Sequence, residues 1–80
     1  MIIGKVIGSI ISTRKQENLV GNKFMIVEPM DAGAVSIVAI DNIGAGIGET
    51  VLVAQGSAAR IGCGMPEAPI DAAIVGIVDD

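Results

Sequence analysis

Apolar positions in this chain fall into short runs separated by glycine, proline and charged residues. Ile2 to Ser12 is rich in Ile and Val, which fit a pleated surface, and predicts a strand. Gly4 and Gly8 interrupt it; glycine inside a strand marks a bulge or a sharp bend, as small barrels use at their corners. Thr13 to Asn18 is polar and reads as a loop, and Gly21-Asn22 as a turn. Lys23 to Glu28 is a short strand stopped by Pro29, and Met30 to Gly33 a loop. Ala34 to Asp41 predicts a strand, Asn42 to Gly48 a glycine-rich connector, and Thr50 to Ala54 another strand. Ser57 to Arg60 fits one helical turn with Ser57 as N-cap. Ile61 to Pro69 contains Gly62, Gly64 and Pro66 and reads as a loop before a last strand, Ile70 to Val78. About five short strands with turn signals between them predict a single all-β domain over residues 1–80, a small barrel or sandwich with one short helix.

The strands alternate poorly. In Ala34 to Ile40, Val35, Ile37 and Ala39 fall on one face and Val38 and Ile40 on the other. Ile70 to Val78 places Ile70, Ala72, Ile74 and Val78 on one face and Ala73, Val75 and Ile77 on the other. A half-solvated strand alternates apolar with polar, so strands apolar on both faces are covered on both. With no long helix to supply that cover, neighbouring subunits are the expected source. Size strengthens this expectation. Hydrophobic residues make up 51% of the 80, yet a chain of this length buries only about 60% of its unfolded surface. A surface left this apolar usually meets a partner.

Charge and composition narrow the chemistry. The net charge is −4, with +1 over residues 1–40 and −5 over residues 41–80. Such asymmetry suits a head-to-tail ring in which unlike surfaces meet. There is no His, which excludes Ser-His-Asp and Cys-His nucleophile pairs and histidine metal sites. Phe24 is the sole aromatic, so a stacking platform for nucleic acid is poorly supplied. Cys63 is the only cysteine, so no intrachain disulfide forms, and its nearest base is Arg60 rather than a histidine or lysine. The longest uncharged stretch, Thr50 to Ala59, is about half a membrane span and contains Gln55, Gly56 and Ser57. The start, Met1-Ile2-Ile3-Gly4-Lys5, lacks the pattern of a signal peptide, so a cytoplasmic domain is expected.

The motifs support structure more than catalysis. Gly44-Ala45-Gly46-Ile47-Gly48-Glu49 fails the dinucleotide fingerprint, because its sixth place is Glu49 and a strand rather than a helix follows. It reads as a tight turn with close backbone approach. Ser57 lacks the second glycine of a nucleophile elbow. Arg60, the only basic residue after Lys23, is expected to pair with a carboxylate such as Asp71 or Glu49. Asp41, Glu49, Asp71, Asp79 and Asp80 show no spacing that marks an acid/base pair or a metal site and are expected to be solvated. Lys5, Lys15 and Lys23 lack the acidic-Lys hairpin context of a lipoyl or biotinyl carrier. No cofactor is expected.

Several stretches together resemble the EutN/CcmL family of pentameric vertex proteins of bacterial microcompartment shells. They are Gly4 to Gly8, Leu19 to Lys23, Val38 to Asp41, Gly44 to Glu49, Val51 to Val53, Gly56 to Arg60 and Pro69 to Asp79, in family order along almost the whole chain. The resemblance implies a five-stranded OB-like barrel with a short helix, assembled as a cyclic homopentamer with a narrow axial pore. It implies a non-enzymatic role in the bacterial cytoplasm, capping the vertices of a shell otherwise tiled by hexameric proteins. By the same resemblance, Gly44, Ala45, Gly46, Gly48 and Glu49 of the loop, and Gly56, Ser57 and Arg60, are candidates for subunit packing near the axis. Many relatives continue past the position of Asp80 into a further tail. A different class, an OB-fold module for single-stranded nucleic acid, needs basic grooves and aromatics, which the −4 charge and lone Phe24 disfavour. A small enzyme using Cys63 or a carboxylate is the third class.

Overall fold

The Ile- and Val-rich runs become five strands: β1 (Ile2–Ile10), β2 (Lys23–Pro29), β3 (Ile37–Asp41), β4 (Thr50–Gln55) and β5 (Ala72–Ile77). One short helix, α1 (Ser57–Gly62), joins β4 to β5, and Glu17–Leu19 forms a 3-10 turn. These elements come from a computed structural model that describes residues 1–12 and 15–79. Thr13 and Arg14, within the expected polar loop, and Asp80, counted among the terminal carboxylates, lie outside the described residues.

The strands close into a barrel in the order β1-β2-β3-β5-β4. All pairings are antiparallel except β3 with β5, which meet in parallel through Ile40↔Ala73 and Asp41↔Ile74. This is the OB-like topology, and it settles the barrel-or-sandwich alternative. β1, the longest strand, divides its length between two neighbours. Ile2 to Lys5 pairs with β4 and Gly4 to Ile10 with β2. At the changeover the register steps from Val6↔Val27 to Gly8↔Ile26, so Ile7 is the extra residue of a bulge. Gly4 sits where two strands crowd it: a Cβ there would lie 2.5 Å from Val27 Cγ1 and 2.8 Å from the Glu28 carbonyl oxygen. Gly8 therefore lies beside the bulge, as expected, whereas Gly4 serves a close approach of β1 to β2 in regular pairing.

Two apolar layers result. Val6, Met25, Val27, Ala39, Val51, Val53, Ala72 and Ile74 fill the barrel interior together with Ala45 from the connector. Outside the barrel, Ile40 and Ala73 pack with Ala59, Ala68 and Ile70, flanked by Leu19, Phe24, Cys63 and Met65. This second layer corrects the expectation that neighbouring subunits alone cover the outer faces, since α1 and the segment after it cover part of β3 and β5 from within the chain. A second bulge alters β5. The register passes from Leu52↔Gly76 to Val53↔Ile74, which lets Ile77 as well as Ile74 face the interior cluster. Alternation was therefore never continuous along that run.

Two strands are shorter than their apolar runs. Ala34 to Ser36 stays outside β3, with Val35 82% exposed, and Ile70 belongs to the outer layer before β5 begins. Composition marked both runs, but pairing partners exist only for part of each.

Alanine at Gly4 forces β1 away from β2, whereas alanine at Gly8 meets only the tip of Ile26 at 3.5 Å. We expect Gly4→Ala to cost about 1–3 kcal/mol and Gly8→Ala clearly less. Urea unfolding at one fixed protomer concentration measures both.

Candidate subunit interface

The connector between β3 and β4 is built around Asp41. This residue ends β3 with its side chain buried, 3% exposed, and its carboxylate accepts three backbone N–H bonds. Oδ1 accepts from Ile43 at 3.0 Å and Gly44 at 3.2 Å, and Oδ2 from Ala45 at 2.9 Å. Lys23, directly across the ladder, brings its Nζ to 3.7 Å from Oδ2, but its own side chain is largely solvated, so the pair adds little. The expectation that Asp41 is a solvated surface carboxylate is thus corrected. A sequence signal existed in Asp41 followed by Asn42 and, at the third place on, Gly44, turn-forming residues beside a side chain that can turn its own backbone.

Held this way, the loop carries Ala45 into the barrel interior and leaves Ile43 and Ile47 outside, with Ile47 66% exposed. A second clasp closes its far end. Glu49 Oε1 accepts from Gly46 N at 2.6 Å, and the Glu49 N–H donates to the Gly46 carbonyl at 3.1 Å. Gly48 N donates to the Val6 carbonyl and Val6 N to the Glu49 carbonyl, which pins the loop end to β1. The close backbone approach expected of this glycine cluster is therefore present, and its nearest partner is β1 of the same chain.

The second candidate segment follows β4. Gly56 adopts φ 66° and ψ −145°, a conformation open essentially to glycine, and donates its N–H to the Asp71 carbonyl at 2.8 Å. It stands at the N-cap of α1, so Ser57 is the first helical residue; no side chain among the described residues caps the helix. The expected cap at Ser57 is corrected by one position, because only glycine permits the turn out of β4. Ala59 is buried in the outer layer, and Ile61, next to Arg60, is 71% exposed. Arg60 also departs from expectation. Its Nη1 donates to the Ile70 carbonyl at 3.4 Å, and among the described residues it forms no ion pair with Glu49 or Asp71.

The structure does not bring the two segments together. Arg60 is held at the end of the β4–β5 ladder where Gln55 meets Ala72, and Glu49 precedes Thr50 at the other end. A ladder of this length separates them by about 20 Å. Of the candidates, Gly44, Gly48, Glu49, Gly56 and Ser57 are exposed, Gly46 and Arg60 are half-buried, and Ala45 faces the core. Ile43, Ile47 and Ile61 are the exposed apolar members that the motif-based selection passed over, though their place beside the glycines and Arg60 in an apolar-rich chain was visible. Further exposed apolar residues, Ile3, Ile7, Ile10 and Val38, lie on the barrel strands. Among the described residues no three His, Cys, Asp or Glu side chains cluster to hold a metal ion, and no helix is long and apolar enough to cross a membrane.

A small OB-like barrel with a carboxylate-pinned loop at one end and a glycine-capped helix at the other is the class this geometry defines. The family model described as "Ethanolamine utilisation protein EutN/carboxysome" matches residues 1–79, and the chain belongs to the EutN/CcmL family. It is similar to the bacterial microcompartment shell vertex protein GrpN of Rhodospirillum rubrum, with 46% identity over 99% of this chain and 93% of that protein. It is also similar to the carboxysome shell vertex protein CcmL of Synechocystis, with 45% identity over 99% of this chain and 83% of that protein. Among solved structures, the pentameric microcompartment shell protein GrpN from Rhodospirillum rubrum superposes with a TM-score of 0.89 at 44% identity, covering 100% of this chain and 95% of GrpN.

Asp41→Asn sets an amide N–H against the loop N–H groups in either orientation, and Asp41→Ala leaves three donors unmet. We expect a loss of about 2–4 kcal/mol for the alanine variant. Hydrogen exchange at Ile43, Gly44 and Ala45 rises with it and checks that the loop is what loosens.

Proposed function

We propose that this chain is a structural subunit of a bacterial microcompartment shell, forming a cyclic homopentamer that caps the shell's vertices. The observation that carries this is similarity along 99% of the chain to shell vertex proteins, one of them solved as a pentamer, in a barrel that leaves isoleucines exposed at both ends of β4. A ring of identical subunits needs two unlike surfaces on each one. The loop with Gly44, Gly46, Gly48 and Glu49 offers one, and Gly56, Ser57 and Arg60 on and before α1 offer the other. Ala45 contributes from inside the barrel by fixing the loop that presents the first surface.

The partners in this proposal are further copies of the chain and hexameric shell proteins. Flat hexagonal sheets cannot close, and five-fold units supply the missing curvature. The role is structural rather than enzymatic, in keeping with the shell proteins to which the chain is similar. A nucleic-acid module finds no support among them. Phe24, the one aromatic side chain, packs against the outer apolar layer.

Co-expression with hexameric shell proteins tests the role. Closed polyhedral particles by electron microscopy are expected with this chain present, and open sheets or tubes without it. Particles that close equally well in its absence contradict it.

A further inference from the structure

We infer that the carboxylate missing from Arg60 within its own chain is supplied by Glu49 of the next subunit in the ring, an inference that rests on the pentamer proposed above. Arg60 is half-buried, and a guanidinium carries five N–H donors, yet one long bond to the Ile70 carbonyl is all that engages it among the described residues. A cation partly removed from water without a counter-charge is unfavourable, and assembly that provides one is favoured.

Glu49 fits as the partner for three reasons. Its Oε1 is held at 2.6 Å by the Gly46 N–H, which fixes the carboxylate in place; among the described exposed carboxylates it is the one a backbone N–H holds. Its Oε2 takes no partner among the described residues, so one oxygen remains for a guanidinium. It stands about 20 Å from Arg60 within one chain, far beyond an ion pair, so only another copy brings the two together. Closed cyclic assembly joins the surface at one end of a subunit to an unlike surface of the next. The flanking residues match as well: Ile61 is exposed beside Arg60, and Ile43 and Ile47 are exposed on the loop that ends at Glu49. Charge thus meets opposite charge, with isoleucine against isoleucine around it.

Cross-linking tests the juxtaposition directly. A chain carrying Arg60→Cys and Glu49→Cys, with Cys63→Ser to remove the native thiol, is treated with a short bismaleimide after assembly. A covalent ladder rising to five chains on a denaturing gel is expected, and none from chains with only one of the two cysteines. A thermodynamic cycle tests the energetics. Glu49→Gln keeps an acceptor for Gly46 N while losing the charge, and Arg60→Met keeps the packing. Each single change is expected to raise the concentration at which the ring dissociates about tenfold, and the double change no further than the larger single. Intact rings that fail to cross-link, or single effects that multiply in the double variant, overturn the pairing while leaving the pentamer standing. A wild-type chain that sediments as a monomer overturns both.

Discussion

The buried Asp41 carboxylate is the interaction on which one end of this barrel depends. β3 and β5 pair over only two positions, so the seam there is short. Where β3 stops, Asp41 turns the backbone through three N–H bonds and sends Ala45 into the interior that the strands leave open. The same turn decides what points outward. With Ala45 directed inward, Ile43 and Ile47 remain at the surface, and the loop reaches Glu49 beside β1. Core closure and surface presentation are two results of one capped turn.

The other governing constraint is volume. A five-stranded barrel of this length has room inside for one layer of Val, Ile, Met and Ala. α1 and the segment after it cover a second layer on one side. The remaining Ile, Val and Met side chains have no place within the chain, and several lie on the outer faces of β1 and β3 or on the two end segments. Burying about half of an exposed isoleucine contributes on the order of 1 kcal/mol, so a few such residues per interface are a substantial driving force for association.

Much of this was legible in the residues. The strands announce themselves by β-branched runs, Gly8 marks the bulge and Gly4 a close approach between strands. The all-β fold follows from local chemistry, whereas barrel order and family came through the motif resemblance rather than through periodicity. What local chemistry missed depended on distant partners. Ala34 to Ser36 has strand composition but no neighbour to pair with. The two-faced look of Ile70 to Val78 arises from the outer layer that covers Ile70 and Ala73 and from a bulge at Val75, neither of which a single-strand pattern reveals. Arg60 and Glu49 look like natural intrachain partners in sequence, yet the length of β4 keeps them apart. Ser57 looks like a cap, but the backbone at Gly56 takes that place because it needs a conformation serine lacks. For the candidate interface the motif selected the glycines and charges, while the exposed isoleucines between them showed only once the loop's inward and outward sides were known.

The central claim is that the barrel completes its burial in a closed ring of five. The mass of the intact assembly by native mass spectrometry tests it most directly. The account predicts one dominant species of about 40 kDa, five chains of 8.1 kDa each. A dominant species of 8.1 kDa at micromolar concentration would contradict it, because the exposed isoleucines would then stand in water without a partner.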